Sequence, residues 1–269
     1  LKKFTLPVQT IMANPILFDC FAFIVGLCIG SFLNVCIYRI PLSKSIASPG
    51  SMCPHCQTPI RFYDNIPVFS YLWLKGRCRH CQARVSLRYP IVEFLGGLIA
   101  LSCFLKYGFS VDAMIYFIFM AALLAITFID IDHRIIPDVI SLPGILLGLG
   151  ASFLLVDMSP LQSLIGILAG GGILWGVAWG YSFFMKKEGM GGGDIKLLAM
   201  IGAFVGWRGV TFTIFTASLI GTLVGLLVMW QTRQNMKLAV PFGPFLAMGA
   251  TLYILFGPEL IGWYFGTLG

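Results

Sequence analysis

Eight apolar runs, most of them near twenty residues long, leave this chain few ways to fold. They lie at about 15–39, 88–106, 111–129, 137–156, 161–185, 195–207, 209–230 and 241–266. A run of roughly 20 apolar residues is the length of a membrane-crossing helix. In lipid each such run must satisfy its own backbone, which favours helices over open strands. Only 11% of the 269 residues are charged, 58% are hydrophobic, and the mean hydropathy is +0.90. A soluble domain carries about 25% charged residues, so a water-facing globule is excluded. The expected fold is an all-α polytopic membrane protein of about eight transmembrane helices. The sixth run is short and reads equally as re-entrant. Its break from the seventh is expected at Trp207-Arg208-Gly209. The first run is too long for a removable signal peptide and is read as a retained span. Leu1 in place of Met is read as an unusual start or an incomplete N-terminus.

The net charge of +7 is explained by topology rather than by nucleic acid. Of the 18 Lys and Arg, all but Lys2, Lys3, Lys106 and Arg208 fall in the segments after helices 1, 3, 5 and 7. The positive-inside rule makes those segments cytoplasmic and puts both termini outside. Asp130 and Asp194 then share the cytoplasmic face. The only sizeable polar segment is 41–87, between helices 1 and 2. This divides the chain into 1–40 (N-terminus and first helix), 41–87 (a cytoplasmic domain) and 88–269 (the remaining helices). No strong internal repeat is visible. Gly170-Gly171-Gly172 lies within an apolar run and is read as a place where helices pack closely.

The polar segment holds Cys53-Pro54-His55-Cys56 and Cys78-Arg79-His80-Cys81, two C-x-x-C pairs with 21 residues between them. Two such pairs supply the four thiolates of a tetrahedral zinc site. With Cys53, Cys56, Cys78 and Cys81 all ligating, no coordination position stays open, so the zinc is structural. It compensates for a segment too poor in apolar residues to build a core. A disulfide reading is disfavoured in a reducing compartment. His55 and His80 are read as exposed, with replacement of one cysteine ligand as the alternative. Cys20, Cys28, Cys36 and Cys103 lie in spans and act as small apolar residues.

Carboxylates are costly at a membrane edge and are functional by default. Asp130, Asp132 and Asp138 cluster between helices 3 and 4. Asp138 follows Pro137 and suits a helix N-terminus. Asp130 and Asp132 face different ways on a helix, and spacing does not choose between them. Asp132 has Arg134 and Lys196 as possible partners. Asp194 follows Gly189, Gly191, Gly192 and Gly193. Its structural role would be an N-cap, but that leaves the glycines unexplained. Glycines let a backbone approach another chain closely. A phosphate loop fails, since no strand precedes it and G-x-x-x-x-G-K-[ST] is absent. Two facing aspartates cannot both ionise, so one can take a proton from water while the other polarises a carbonyl.

The chain resembles the type IV prepilin peptidases over nearly its whole length. The resemblance rests on Gly30-Ser31-Phe32-Leu33-Asn34-Val35 with Arg39 and Pro41, both cysteine pairs, Asn65-Ile66-Pro67 and Arg88-Tyr89-Pro90-Ile91-Val92-Glu93. It continues through Ile129-Asp130 to Ile136-Pro137-Asp138, Gly189 to Lys196, and Pro241-Phe242-Gly243-Pro244. It implies that Asp130 and Asp194 are the catalytic pair, the second in a G-x-G-D motif supported by Gly191, Gly193 and Lys196. It also implies a four-cysteine cytoplasmic domain and residence in the bacterial inner membrane. The implied substrates are prepilins or pseudopilins of type II secretion. These would be cut after the glycine that ends a basic leader, then N-methylated from S-adenosylmethionine. No soluble methyltransferase motif is present. Asn34, Asp64, Arg77 and Glu93 are candidates to hold the methyl donor, with packing and salt bridging as their plainer roles.

Two other functions were weighed. A proton-coupled transporter predicts carboxylates at the bilayer midplane and repeated halves. A non-enzymatic assembly scaffold explains the cysteines but not the paired aspartates.

Overall fold

A computed structural model describes residues 15–186, 191–232 and 241–266. All eight expected apolar segments are helical. The long helices are α1 (Pro15–Arg39), α3 (Arg88–Tyr107), α4 (Val111–His133), α6 (Pro160–Met185), α7 (Gly192–Thr232) and α8 (Gly243–Gly266). These six are long and apolar enough to cross a membrane. A five-residue helix, α2 (Phe69–Trp73), and a shorter apolar helix, α5 (Asp138–Ala151), complete the set. No named strand occurs among the described residues, only two isolated bridges. The protein is a multi-pass helical membrane protein.

The expected count of eight differs from six for two physical reasons. Helix α5 has 14 residues, about 21 Å of helix, which is short of a full crossing. Helix α7 joins two expected runs across a break at Gly206 (φ 67, ψ −178) rather than at 207–209. That conformation belongs almost exclusively to glycine. The break is a reversal. Val210 Cγ2 lies 3.0 Å from where a Cβ on Gly202 would sit. Eight residues of straight helix would hold them about 12 Å apart.

Two compact units are present. One runs through Asn34 and includes Gly50–Phe109, so α3 groups with the cysteine segment; the other comprises Val35–Pro49 and the chain from Ser110 onward. In the first, α1 and α3 meet backbone to backbone. A Cβ on Gly26 would stand 2.5 Å from the Gly96 carbonyl oxygen, and one on Gly30 would stand 2.6 Å from Glu93 Cα. In the second unit α7 is the centre, packing on α5, α6 and α8, while α4 packs on α8. Gly166 of α6 and Gly202 of α7 are in such contact that a Cβ on either meets the other's carbonyl oxygen at 2.1 Å. Gly170 presses on Leu198 in the same way, as expected for close packing, whereas Gly172 faces open space. The buried Ser163 hydroxyl donates to the Ala203 carbonyl at 2.8 Å and fixes the α6–α7 register. Phe119 of α4 stacks on Phe204 of α7 with centroids 4.1 Å apart.

At Gly206 the nearest neighbours of a new Cβ are at ordinary contact distances, 3.6 Å and beyond, so substitution costs torsional strain only. Gly206→Ala is expected to lower stability by about 1–3 kcal/mol. The unfolding midpoint in detergent measures this, and an unchanged midpoint would contradict the reversal.

Candidate active site and cysteine cluster

Helix α4 ends at His133, and Arg134 closes it in the left-handed conformation, its amide donating to the Asp130 carbonyl. This places Asp130 in the last turn, facing the protein. It is only 5% exposed, whereas Asp132 is exposed. Burial separates the two where spacing did not. Asp130 Oδ2 accepts a hydrogen bond from the Gly243 amide at 3.0 Å. The Pro241–Pro244 turn therefore aims a backbone donor at this carboxylate. A Cβ on Gly243 would lie 2.6 Å from the same oxygen, so a side chain there would displace the carboxylate.

Asp194 sits in the first turn of α7, which begins at Gly192, rather than before the helix as a cap. It is half-buried and lies within Coulombic reach of Asp130. Ile136 holds the two neighbourhoods together. A Cβ on Gly193 would touch Ile136 Cβ at 3.0 Å, and one on Gly243 would meet Ile136 Cδ1 at 3.5 Å. Gly191 lies beside Asp194, a Cβ there being 3.9 Å from Asp194 Oδ2. Gly189 lies outside the described residues. Lys196 Nζ donates to both oxygens of Asp138 at 2.8 Å. Its partner is thus Asp138 in the first turn of α5. Both side chains are about half exposed, so the pair contributes only about 0–1 kcal/mol and acts mainly to join the starts of α5 and α7.

The second constellation is the cysteine cluster. The sulfurs of Cys53, Cys56, Cys78 and Cys81 all lie within 4.8 Å of one another. Cys53 and Cys81 are 3.8 Å apart, and Cys56 and Cys78 are 4.0 Å apart. Bonds of about 2.3 Å to a tetrahedral metal give sulfur–sulfur edges of about 3.8 Å, so the geometry fits a metal ion. His55 and His80 are exposed and outside this set. The two pairs are built alike. The Cys53 amide bonds the Thr58 carbonyl and the Gln57 amide bonds the Cys53 carbonyl. Cys78 with Ala83, and Gln82 with Cys78, repeat this. Gln57 and Gln82 both take positive φ, and the bridges Met52–Pro59 and Arg77–Arg84 match in position. This short repeat was not read from the sequence, although Cys-x-His-Cys-Gln recurs in both halves.

The electrostatics favour thiolates. Hydrogen bonds from the Thr58 hydroxyl and amide bring the Cys56 thiol down to about 6. The amides of Cys81 and His80 lower Cys78. Cys81, despite the Ala83 amide, is pushed up to about 11 by desolvation and its neighbouring thiols. A metal ion held by these sulfurs would displace the thiol protons. Arg79 clasps Asp64 with its Nε and Nη2 at 2.8 and 2.6 Å and holds the carboxyl below the usual carboxylate range. The pair stabilises the fold while Asp64 is ionised and is lost as pH falls through that lowered value.

The four residues expected around a methyl donor lie in the cysteine segment and at the α1–α3 contact. Asn34 and Glu93 sit together where α1 meets α3. The Asn34 amide donates to the Tyr89 carbonyl at 3.1 Å, and its Oδ1 is buried without a partner. The Glu93 carboxylate accepts from the Val68 amide at 2.7 Å. Asp64 is committed to Arg79. Arg77 lines a separate groove beside Tyr71 and Arg84.

The chain is thus a helical membrane protein with a buried aspartate, a second carboxylate in reach and a four-cysteine cluster of a size to hold a metal ion. Comparison with known proteins gives the family. Residues 24–107 match the bacterial peptidase A24 N-terminal domain, and residues 117–226 match the type IV leader peptidase family. The chain is 36% identical to a prepilin leader peptidase/N-methyltransferase of Pseudomonas putida, covering 92% of this chain and 93% of that one. It is 35% identical to the protein of that name from Stutzerimonas stutzeri (96% and 97% covered) and 34% to that from Pseudomonas aeruginosa. No solved structure matches. The chain belongs to the type IV leader peptidase family.

The cluster makes a direct prediction. A metal ion will copurify with the protein, and Cys53→Ser or Cys78→Ser will each release it, as read by elemental analysis. Retention of the metal by both variants would exclude the four-sulfur site.

Proposed function

We propose that this protein cleaves the leader from type IV prepilins or type II secretion pseudopilins and N-methylates the new N-terminus. The observation that carries the reading is the placement of Asp130 and Asp194 around Ile136, within reach of each other's charge. Family membership and the names of its relatives support it. In this reading Asp130 is the carboxylate that takes the proton from water, because the Gly243 amide donates to its Oδ2 and favours negative charge there. Asp194 carries the shared proton and donates to the scissile carbonyl. The water oxygen attacks that carbon, and the tetrahedral intermediate expels the amine, which leaves with a proton returned from the pair. Gly191 leaves room beside Asp194 for an extended leader junction, Gly193 admits Ile136, and Lys196 steadies the turn through Asp138.

The ion proposed for the cluster is structural zinc, supported by four thiolates at tetrahedral spacing. The domain it folds, 41–87, is assigned to the methylation half, and the helices from 88 onward to peptide cleavage. The proposed methyl source is S-adenosylmethionine, and no step is assigned to Asp64, Arg77 or Glu93 in holding it. The site is placed at the cytoplasmic face of a bacterial inner membrane, supported by the distribution of Lys and Arg.

Mass spectrometry of a prepilin incubated with purified enzyme tests both activities at once. Asp130→Asn and Asp194→Asn are each expected to slow cleavage by about 1,000-fold or more. Full cleavage by either would remove it from the pair. Gly243→Ala is expected to slow cleavage by about 10-fold or more, because a methyl group would displace the Asp130 carboxylate. Methylated product should appear only when S-adenosylmethionine is present.

A further inference from the structure

Helix α2 carries an apolar face that the described residues leave largely exposed. Phe69, Leu72 and Trp73 lie on one side of it at helical spacing and are 59%, 67% and 71% exposed. The rings of Phe69 and Trp73 stack at 6.2 Å. Phe62 and Leu87, flanking the element in sequence, are also exposed, at 87% and 65%. A five-residue helix cannot hold so much apolar surface in water without a partner.

The position of α2 is set by a buried contact. Val68, the residue before the helix, has φ 62 and ψ −48, an uncommon conformation for a β-branched residue. Its amide donates to Glu93 Oε2 at 2.7 Å. Glu93 is buried on α3, five residues past the start of a candidate span at Arg88. That is about 7 Å into the helix. The bond therefore ties α2 to the first turns of that candidate span.

Beside the aromatic face is a groove of about 630 Å³ whose lining includes Lys75, Arg77, Arg84, Tyr71 and Ser86 but no acidic residue. The three basic side chains are exposed. Aromatic residues next to Lys and Arg at one depth are the signature of an interfacial membrane anchor facing anionic headgroups.

We infer that α2 is a membrane-docking element. Phe69, Leu72 and Trp73 insert among acyl chains at the interface, while Lys75, Arg77 and Arg84 engage the phosphates of anionic phospholipid. A bilayer fits better than a basic leader peptide, which the groove's charge would repel. The consequence is that the metal-binding segment is held against the membrane by α2 as well as by its two flanking spans. This inference does not depend on the proposed peptidase chemistry.

The full chain in nanodiscs provides the test. Hydrogen exchange across Phe69–Gly76 is compared in phosphatidylcholine alone and with about one-quarter phosphatidylglycerol. Exchange is expected to be about 10-fold slower with the anionic lipid. The double variant Lys75→Ser/Arg84→Ser should lose that difference while keeping its metal. In wild-type protein, brominated lipid should quench the fluorescence component that Trp73→Phe removes. Equal exchange in both lipids, or a lipid effect that survives in the charge variant, would overturn the inference. Protection by inorganic phosphate in detergent to the same extent would overturn it in favour of a soluble anion site. Protection that arises only on adding prepilin would overturn it in favour of a substrate surface.

Discussion

In lipid, apolar side chains gain little by leaving one hydrocarbon surface for another, so helices associate through close contact and polar bonds. The packing of this protein follows from that constraint. Backbones touch where side chains are missing. Gly166 meets Gly202 with no space for a methyl group on either, and Gly26 and Gly30 admit α3 against α1 in the same way. The Ser163–Ala203 bond then fixes one register among those the smooth surfaces would allow. A contact between backbones has little tolerance, and it transmits position over the length of a helix. That is how residues near chain positions 130, 194 and 243 can be brought to one place.

The candidate site exploits the same lack of side chains. Gly193 and Gly243 press on Ile136 from two directions, and the Gly243 amide reaches Asp130 through space that any other residue would fill. Ile136 serves as a spacer between the neighbourhoods of the two carboxylates. The site is therefore defined less by the groups that would react than by the glycines that let them approach.

The apolar runs were legible as helices, because the span length is imposed by the bilayer and not by packing, whereas the shortness of α5 and the break at Gly206 were not. The cysteine cluster was legible for a similar reason: four thiolates at knuckle spacing have few other uses. Asp130 could not be told from Asp132 by residue pattern, since the choice depends on which side of α4 faces α8. Pro241-Phe242-Gly243-Pro244 stood out as a motif, but its donor role did not, because a backbone amide carries no mark in sequence. The pairing of Lys196 with Asp138 was not legible, since it depends on α5 and α7 beginning side by side. The roles of Glu93 and Val68 were invisible as well, resting on a backbone angle that no residue type announces.

The reversal at Gly206 has a bearing on how water and peptide meet. The first arm of α7, from Gly192 to Val205, is 14 residues long, and so is α5 beside it. Each is about 21 Å in length, against a hydrocarbon layer of about 30 Å. Their starts are clamped together by Lys196 and Asp138. Two adjoining helices are thus each roughly 9 Å shorter than a full crossing, which brings water closer at one end of the pair. In the proposed peptidase, a polar stretch of peptide would meet the carboxylates at that end without being dragged through the full depth of the bilayer.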